Sequence, residues 1–320
     1  PQPSPAVPDV PVEAPSLPLR GCPPPPRPSP GGGAPAPVYV PPKLVPEEEL
    51  PEPQAPAPWT ADLRPLEGKG MWLWKYRQSE GGNPDAIVAK AAAAGLRQLW
   101  VRVGDSKDGF YAREVLDALV PRAHRQGIAV IGWGFPFLFD PVADARWTAE
   151  ALAWRSPEGH VLDGFSPDIE LPADGVAISE KRVRVYLDLV RRAAPSRLVV
   201  ATVYRPSDRL WPSTYPYAAM APYVDAFAPM VYWACLEPGA TAAQAIERLR
   251  TLRPVHAIGQ AWDMRVDSGN RGAAPDELEI RRFLDVSRRQ GALGGSLWVW
   301  HLTGEEQWSA LSAFRWLSPQ

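Results

Sequence analysis

The chain has 320 residues, 45% of them hydrophobic, with 14 Trp and a formal net charge of -2. That is apolar material for one large domain or two ordinary ones, and the near-zero charge excludes the electrostatic footprint of a nucleic-acid or anionic-membrane binder. No apolar run reaches the ~20 residues a spanning helix needs.

The first sixty residues hold 22 of the 40 prolines. Such a segment buries too little apolar surface to offset its ordering entropy and favours polyproline II. Residues 1–65 are therefore predicted to be a disordered, semi-rigid stalk. A stalk of this kind suits an exported protein, extracellular or envelope-associated, whose globular part stands off from a membrane or wall. The alternative is a disordered intracellular arm, or a ligand for a proline-binding module. Cys22 lies in this segment and Cys235 far from it; whether they pair is not legible. The four His (His124, His160, His256 and His301) are scattered. Nothing resembles a ligand cluster, so no metal and no cofactor is expected.

From about Leu66 strand-like runs alternate with helical ones. The strand candidates are residues 70–74, 98–103, 129–134, 164–170, 198–204, 226–233, 256–261 and 296–300. Most are continuous apolar runs, as expected of a sheet covered on both faces. Between them, Asn83-Pro84-Asp85 opens a helix that Gly95 stops. Residues 179–194 carry Val183, Tyr186, Leu187 and Val190 on one face. Ala274-Pro275-Asp276-Glu277 opens another helix ending at Gly291, and the fifth crossover, near residues 217–223, looks short. Eight such units over residues 66–320 predict a (β/α)8 TIM barrel. The rival is an open doubly wound sheet, but no G-x-G-x-x-G follows the first strand.

In such barrels the chemistry gathers at the C-terminal ends of the strands. There the fourth strand sets Asp168 and Glu170 two residues apart, on one face of an extended chain. The other strand ends offer Trp72, Arg102, Trp133, Tyr204, Met230, Tyr232, Gln260, Trp298 and Trp300. Aromatic faces with a few polar groups suit sugar rings, although core packing is the plainer reading for any single Trp. No G-x-S-x-G elbow supports a serine hydrolase.

These residues resemble family 18 glycoside hydrolases, the chitinase-like barrels that include peptidoglycan-cleaving members. Of that family's D-x-x-D-x-D-x-E signature, Asp163, Asp168 and Glu170 are present and Ser166 replaces one acid. Met230-Val231-Tyr232 matches its M-x-Y, and Gly294 to Trp298 its G-x-x-x-W. The resemblance covers the barrel and not the first sixty residues. It implies Glu170 as general acid and then base, and Asp168 orienting the substrate's 2-acetamido group. It further implies Tyr232 on the acetamido oxygen, Trp298 under the scissile sugar and Asp163 in support. The implied activity is retaining, substrate-assisted hydrolysis of an N-acetylated aminosugar polymer, peptidoglycan or a chitin-like glycan.

Ser166 carries no charge where the family has an acid, which makes a non-catalytic, lectin-like glycan binder the second reading. A family 25 lysozyme-like hydrolase would use the same Asp168-x-Glu170 pair. In every case the expected partner is a polysaccharide.

Overall fold

The computed structural model describes residues 43–266 and 272–316. Nine strands run through them: β1 (Gly68–Leu73), β2 (Gln98–Asp105), β3 (Gly109–Phe110), β4 (Ala129–Phe135), β5 (Gly164–Ile169), β6 (Val200–Tyr204), β7 (Ala226–Val231), β8 (His256–Gln260) and β9 (Gly294–Trp298). The helices between and after them are α1 (Pro84–Ala93), α2 (Arg113–Arg125), α3 (Pro141–Ala153), α4 (Glu180–Ala193), α5 (Tyr217–Met220), α6 (Pro238–Leu249), α7 (Glu277–Arg289) and α8 (Glu305–Ala313). β1 pairs in parallel with both β2 and β9, and every step between them is also parallel, so eight strands close into the TIM barrel that the alternation predicts. The unforeseen β3 is a two-residue antiparallel addition to β2.

Local sequence explains where the elements start and stop. The Asn83 side chain accepts the N–H groups of Asp85 and Ala86 at 3.0 and 3.2 Å, capping α1, and Gly95 leaves that helix at φ +65°. Asp276 and Glu279 form a reciprocal capping box on α7. Along β5, side chains alternate between two apolar layers. Phe165 and Ile169 pack outward with Trp147 and the helices, whereas Ser166 and Asp168 turn inward. The inner layer is built from Trp72, Trp100, Ile131, Trp133, Val200, Ala228 and Ile258. Gly294 admits no side chain, because a Cβ there would collide with the carbonyl oxygens of Leu66 and Gly68.

Leu66, with Leu63 and Ala61, closes the N-terminal mouth of the barrel. Beneath them, burial pulls the His256 imidazole down to about 4, so it is neutral and its Nδ1–H donates to the Leu66 carbonyl at 2.8 Å. The described end of the expected stalk, residues 43–65, lies against the barrel. Val45 donates its N–H to Phe139 O, Tyr223 donates to Gln54 O, and Trp59 donates to Asp225. A proline-rich composition signals low intrinsic order but does not reveal such tethers. Residues 1–42, and with them Cys22 and its relation to Cys235, lie outside the described residues. Among the described residues no helix is long and apolar enough to cross a membrane.

Candidate active site

The C-terminal mouth of the barrel holds a hollow of about 430 Å³, lined by Trp74, Arg102, Trp133, Phe135, Phe137, Asp168, Glu170, Asp174, Gly175 and Trp298. Aromatic rings make its walls. Trp298 lies 5.9 Å from Trp74 in a stacked arrangement and 5.3 Å from Trp133 edge-on. The Arg102 guanidinium covers the Trp133 ring at 4.6 Å and pairs with Asp105 at 3.0 Å. Phe137 is set by a polar knot: its N–H donates to Ser106 Oγ, which donates to the buried Asp144, and Asp144 also accepts the Leu138 N–H at 2.9 Å. Burial pushes Asp144 up to about 6 against the pull of those hydrogen bonds.

Asp168 and Glu170 both enter the hollow, as their spacing predicts. Asp168 is buried, and its Oδ1 has no hydrogen-bond partner among the described residues. Burial pushes its carboxyl up to about 7, with Arg102 pulling the other way. Glu170 is raised well above the carboxylate range, first by burial and then by the neighbouring Asp168 and Asp174. Asp174 sits in the single 3-10 turn after β5 and accepts the Tyr204 hydroxyl at 2.9 Å. A Pro-x-Asp-Gly run directly after the paired acids is the sequence signal that marks it.

Other expected site residues fall elsewhere. Trp72 is buried below the hollow, stacked on Trp100 at 4.7 Å and donating to Ser296 Oγ at 2.8 Å. Met230 and Tyr232 pack on the same inner cluster, the Tyr232 ring edge-on to Trp262 at 4.9 Å. The Gln260 amide is occupied as a tie, accepting from Ala234 N and donating to Trp262 O and Ala273 O. Trp300 turns to the outer layer, packing on Trp308 at 4.6 Å and donating to Glu80. Its two-residue offset from Trp298 does not put it on the same face because β9 ends at Trp298 and Trp300 opens a 3-10 turn. Ser166 does not support Asp168: its hydroxyl donates to Val200 O at 2.6 Å and meets Thr202 Oγ1 at 2.7 Å.

Asp163 is at the opposite mouth, since seven residues of extended chain separate it from Glu170 by roughly 20 Å. There it accepts Val130 N at 2.7 Å and contacts His124 Nε2 at 2.9 Å. Asp163→Ala is accordingly expected to cost about 1–3 kcal/mol in urea unfolding, by stranding the Val130 N–H.

No family model matches the chain and no curated protein matches it. Its fold is similar to that of solved structures. A chitinase from Chromobacterium violaceum ATCC 12472 is 11% identical with TM-score 0.55, over 78% of this chain and 100% of that one. A family GH18 chitinase from Cycas revoluta, complexed with allosamidin, is 12% identical with TM-score 0.53, over 76% and 98%. The spore cortex-lytic enzyme SleL of Bacillus megaterium QM B1551 is 12% identical with TM-score 0.51, over 78% and 74%. The shared property at these identities is the fold, a TIM barrel of the kind that chitinases carry.

Proposed function

We propose that this chain is a glycoside hydrolase that cleaves polymers of N-acetylated aminosugars, with peptidoglycan favoured over chitin, by a retaining, substrate-assisted route. The observation that carries the reading is the place of Glu170 beside Asp168 and Asp174 in an aromatic-walled hollow, where burial and the two acidic neighbours push its carboxyl upward. A general acid must hold its proton at the working pH, and raising a Glu in this way is how enzymes arrange that. The likeness of the barrel to chitinases and to a cortex-lytic enzyme supports the substrate class.

The chemistry then runs in two steps. Glu170 donates its proton to the glycosidic oxygen as the bond to the anomeric carbon breaks, while the acetamido carbonyl oxygen bonds that carbon from the other face. Asp168, whose Oδ1 is an acceptor without a protein partner, takes the acetamido N–H and stabilises the oxazolinium. Glu170, now a carboxylate, removes a proton from the water that opens the ring, and two inversions give retention. Trp298 offers the apolar face on which the sugar rests.

The placement of Ser166 favours a second reading, in which the barrel holds a glycan without cutting it. Its hydroxyl is spent on β6, so β5 contributes no third polar group to the pair of acids. Incubation of the full chain with N-acetylglucosamine oligomers and with peptidoglycan separates the two readings. New reducing ends that depend on Glu170 support the hydrolase; calorimetric binding with no cleavage over days supports the binder.

A further inference from the structure

We infer that Asp174 is a positioning residue for Glu170: from the turn after β5 it presents to the hollow that Glu170 lines a second neighbouring carboxylate beside Asp168, where β5 carries the uncharged Ser166. The inference rests on the hydrolase reading, because the Glu170 proton matters to function only if Glu170 is the acid.

The local chain places Asp174 for this task. β5 ends at Ile169, and residues Pro172–Asp174 make one 3-10 turn. Gly175 leaves it at φ +85°, a region open to Gly at no steric cost. The turn brings the Asp174 carboxylate back to the hollow that Glu170 also lines. Two donors fix it there, the Leu171 N–H at 3.3 Å and the Tyr204 hydroxyl at 2.9 Å.

Two carboxyl groups that face one hollow disfavour each other's charged form. Asp174 stands at the exposed rim, where water surrounds it, and Glu170 lies half-buried beneath. The deeper carboxyl therefore retains the proton. Glu170 is faced by Asp168 from β5, Asp174 from the turn, Tyr204 from β6, and Tyr215 from the loop beyond, whose hydroxyl is bound to Ile169 O at 2.6 Å. Arg102 from β2 bears on Asp168. Of these, Asp168 and Asp174 favour the protonated acid, and the Tyr204 hydroxyl opposes it. Asp168 is already engaged by the acetamido group in the proposed reaction. Asp174 is the neighbour left to favour the protonated Glu170 through the cycle, both before the proton is given up and after the attacking water has returned it.

The test uses the full chain and two readouts, the titration of Glu170 followed by carbon NMR of labelled glutamate, and the pH profile of kcat/KM. In Asp174→Asn the new amide donates to Glu170, so the Glu170 titration is expected to fall by at least about one unit. The acid form is the active one, so the alkaline limb of kcat/KM should move down equally, about tenfold less activity per unit above the limb. Asp174→Ser removes the charge without adding a donor that reaches Glu170. It should shift both readouts the same way by less, and it guards against an Asn variant that fails to fold. An active wild type with an unmoved Glu170 titration in both variants overturns the role of Asp174 and leaves the hydrolase reading standing. A wild type that cleaves nothing overturns the hydrolase reading, and with it the catalytic part of this inference, even if the titration moves.

Discussion

Glu170→Gln should lower turnover about 10²–10⁴-fold, the usual worth of a positioned general acid, while oligosaccharide binding persists. Gln preserves the shape of the side chain and its hydrogen-bonding reach but has no proton to give. The same change is expected to leave the fold at least as stable, for a reason that can be signed. The Glu170 carboxyl is raised above its ordinary value of 4.5 in the folded chain, by burial first and by Asp168 and Asp174 after it. The folded state therefore holds that proton more tightly than the unfolded state. Its contribution is fully present below about 4.5 and is lost as pH rises through the folded value. Asp168 acts in the same sense between 3.8 and about 7. Thermal unfolding at pH 5 and pH 8 should thus show a smaller decline for the Gln variant than for wild type. A variant that retains full turnover removes Glu170 from the acid's role.

Asp225→Ala should be the most damaging single change to stability, at about 3–5 kcal/mol, or a melting temperature lower by roughly 10 °C. Asp225 and Arg191 form an ion pair at 2.8 Å with side chains only 6% and 3% exposed. The other Arg191 donors reach the Tyr223 and Arg197 carbonyls, so the guanidinium is held in place and deprived of water. Asp225 also accepts the Val199 N–H at 2.8 Å and the Trp59 indole N–H at 2.5 Å. Removing it leaves a buried cation and two donors uncompensated, which costs far more than the pair itself contributes. Trp59, which stacks on Arg191 at 4.2 Å, would lose its anchor, so residues 43–65 should become more sensitive to protease. Urea unfolding with a loss below about 1 kcal/mol would contradict this view of the β7 entrance.

The barrel was legible because its strands are continuous apolar runs, such as residues 226–231, where both faces are covered and no polar position breaks the pattern. Caps such as Asn83 and Asp276 were legible because their side chains act on N–H groups two or three residues away. What the sequence hid depends on longer range. Ser166 and Gln260 each have several possible partners, and only the closed barrel shows that neighbouring strands and loops claim them. β5 meets β6 at Asp168 and Ile169 and in a bridge at Phe165, with Pro167, which has no N–H to give, between them. Period-two reasoning holds for Asp168 and Glu170, next to each other at one end of a strand. It fails for Trp300, where the strand has already ended. The place of Asp174 is set at longer range, because Gly175 and Tyr204 together fix the turn's return path.

The crystal structure of the Glu170→Gln variant soaked with an N-acetylglucosamine oligomer tests the central claim most directly. The account predicts a glycosidic oxygen within about 2.6–3.2 Å of the substituted side chain at position 170, the adjoining sugar face on Trp298, and its acetamido N–H on Asp168 Oδ1. An oligomer bound elsewhere, or lying across this mouth with its glycosidic oxygens out of reach of that side chain, would contradict it.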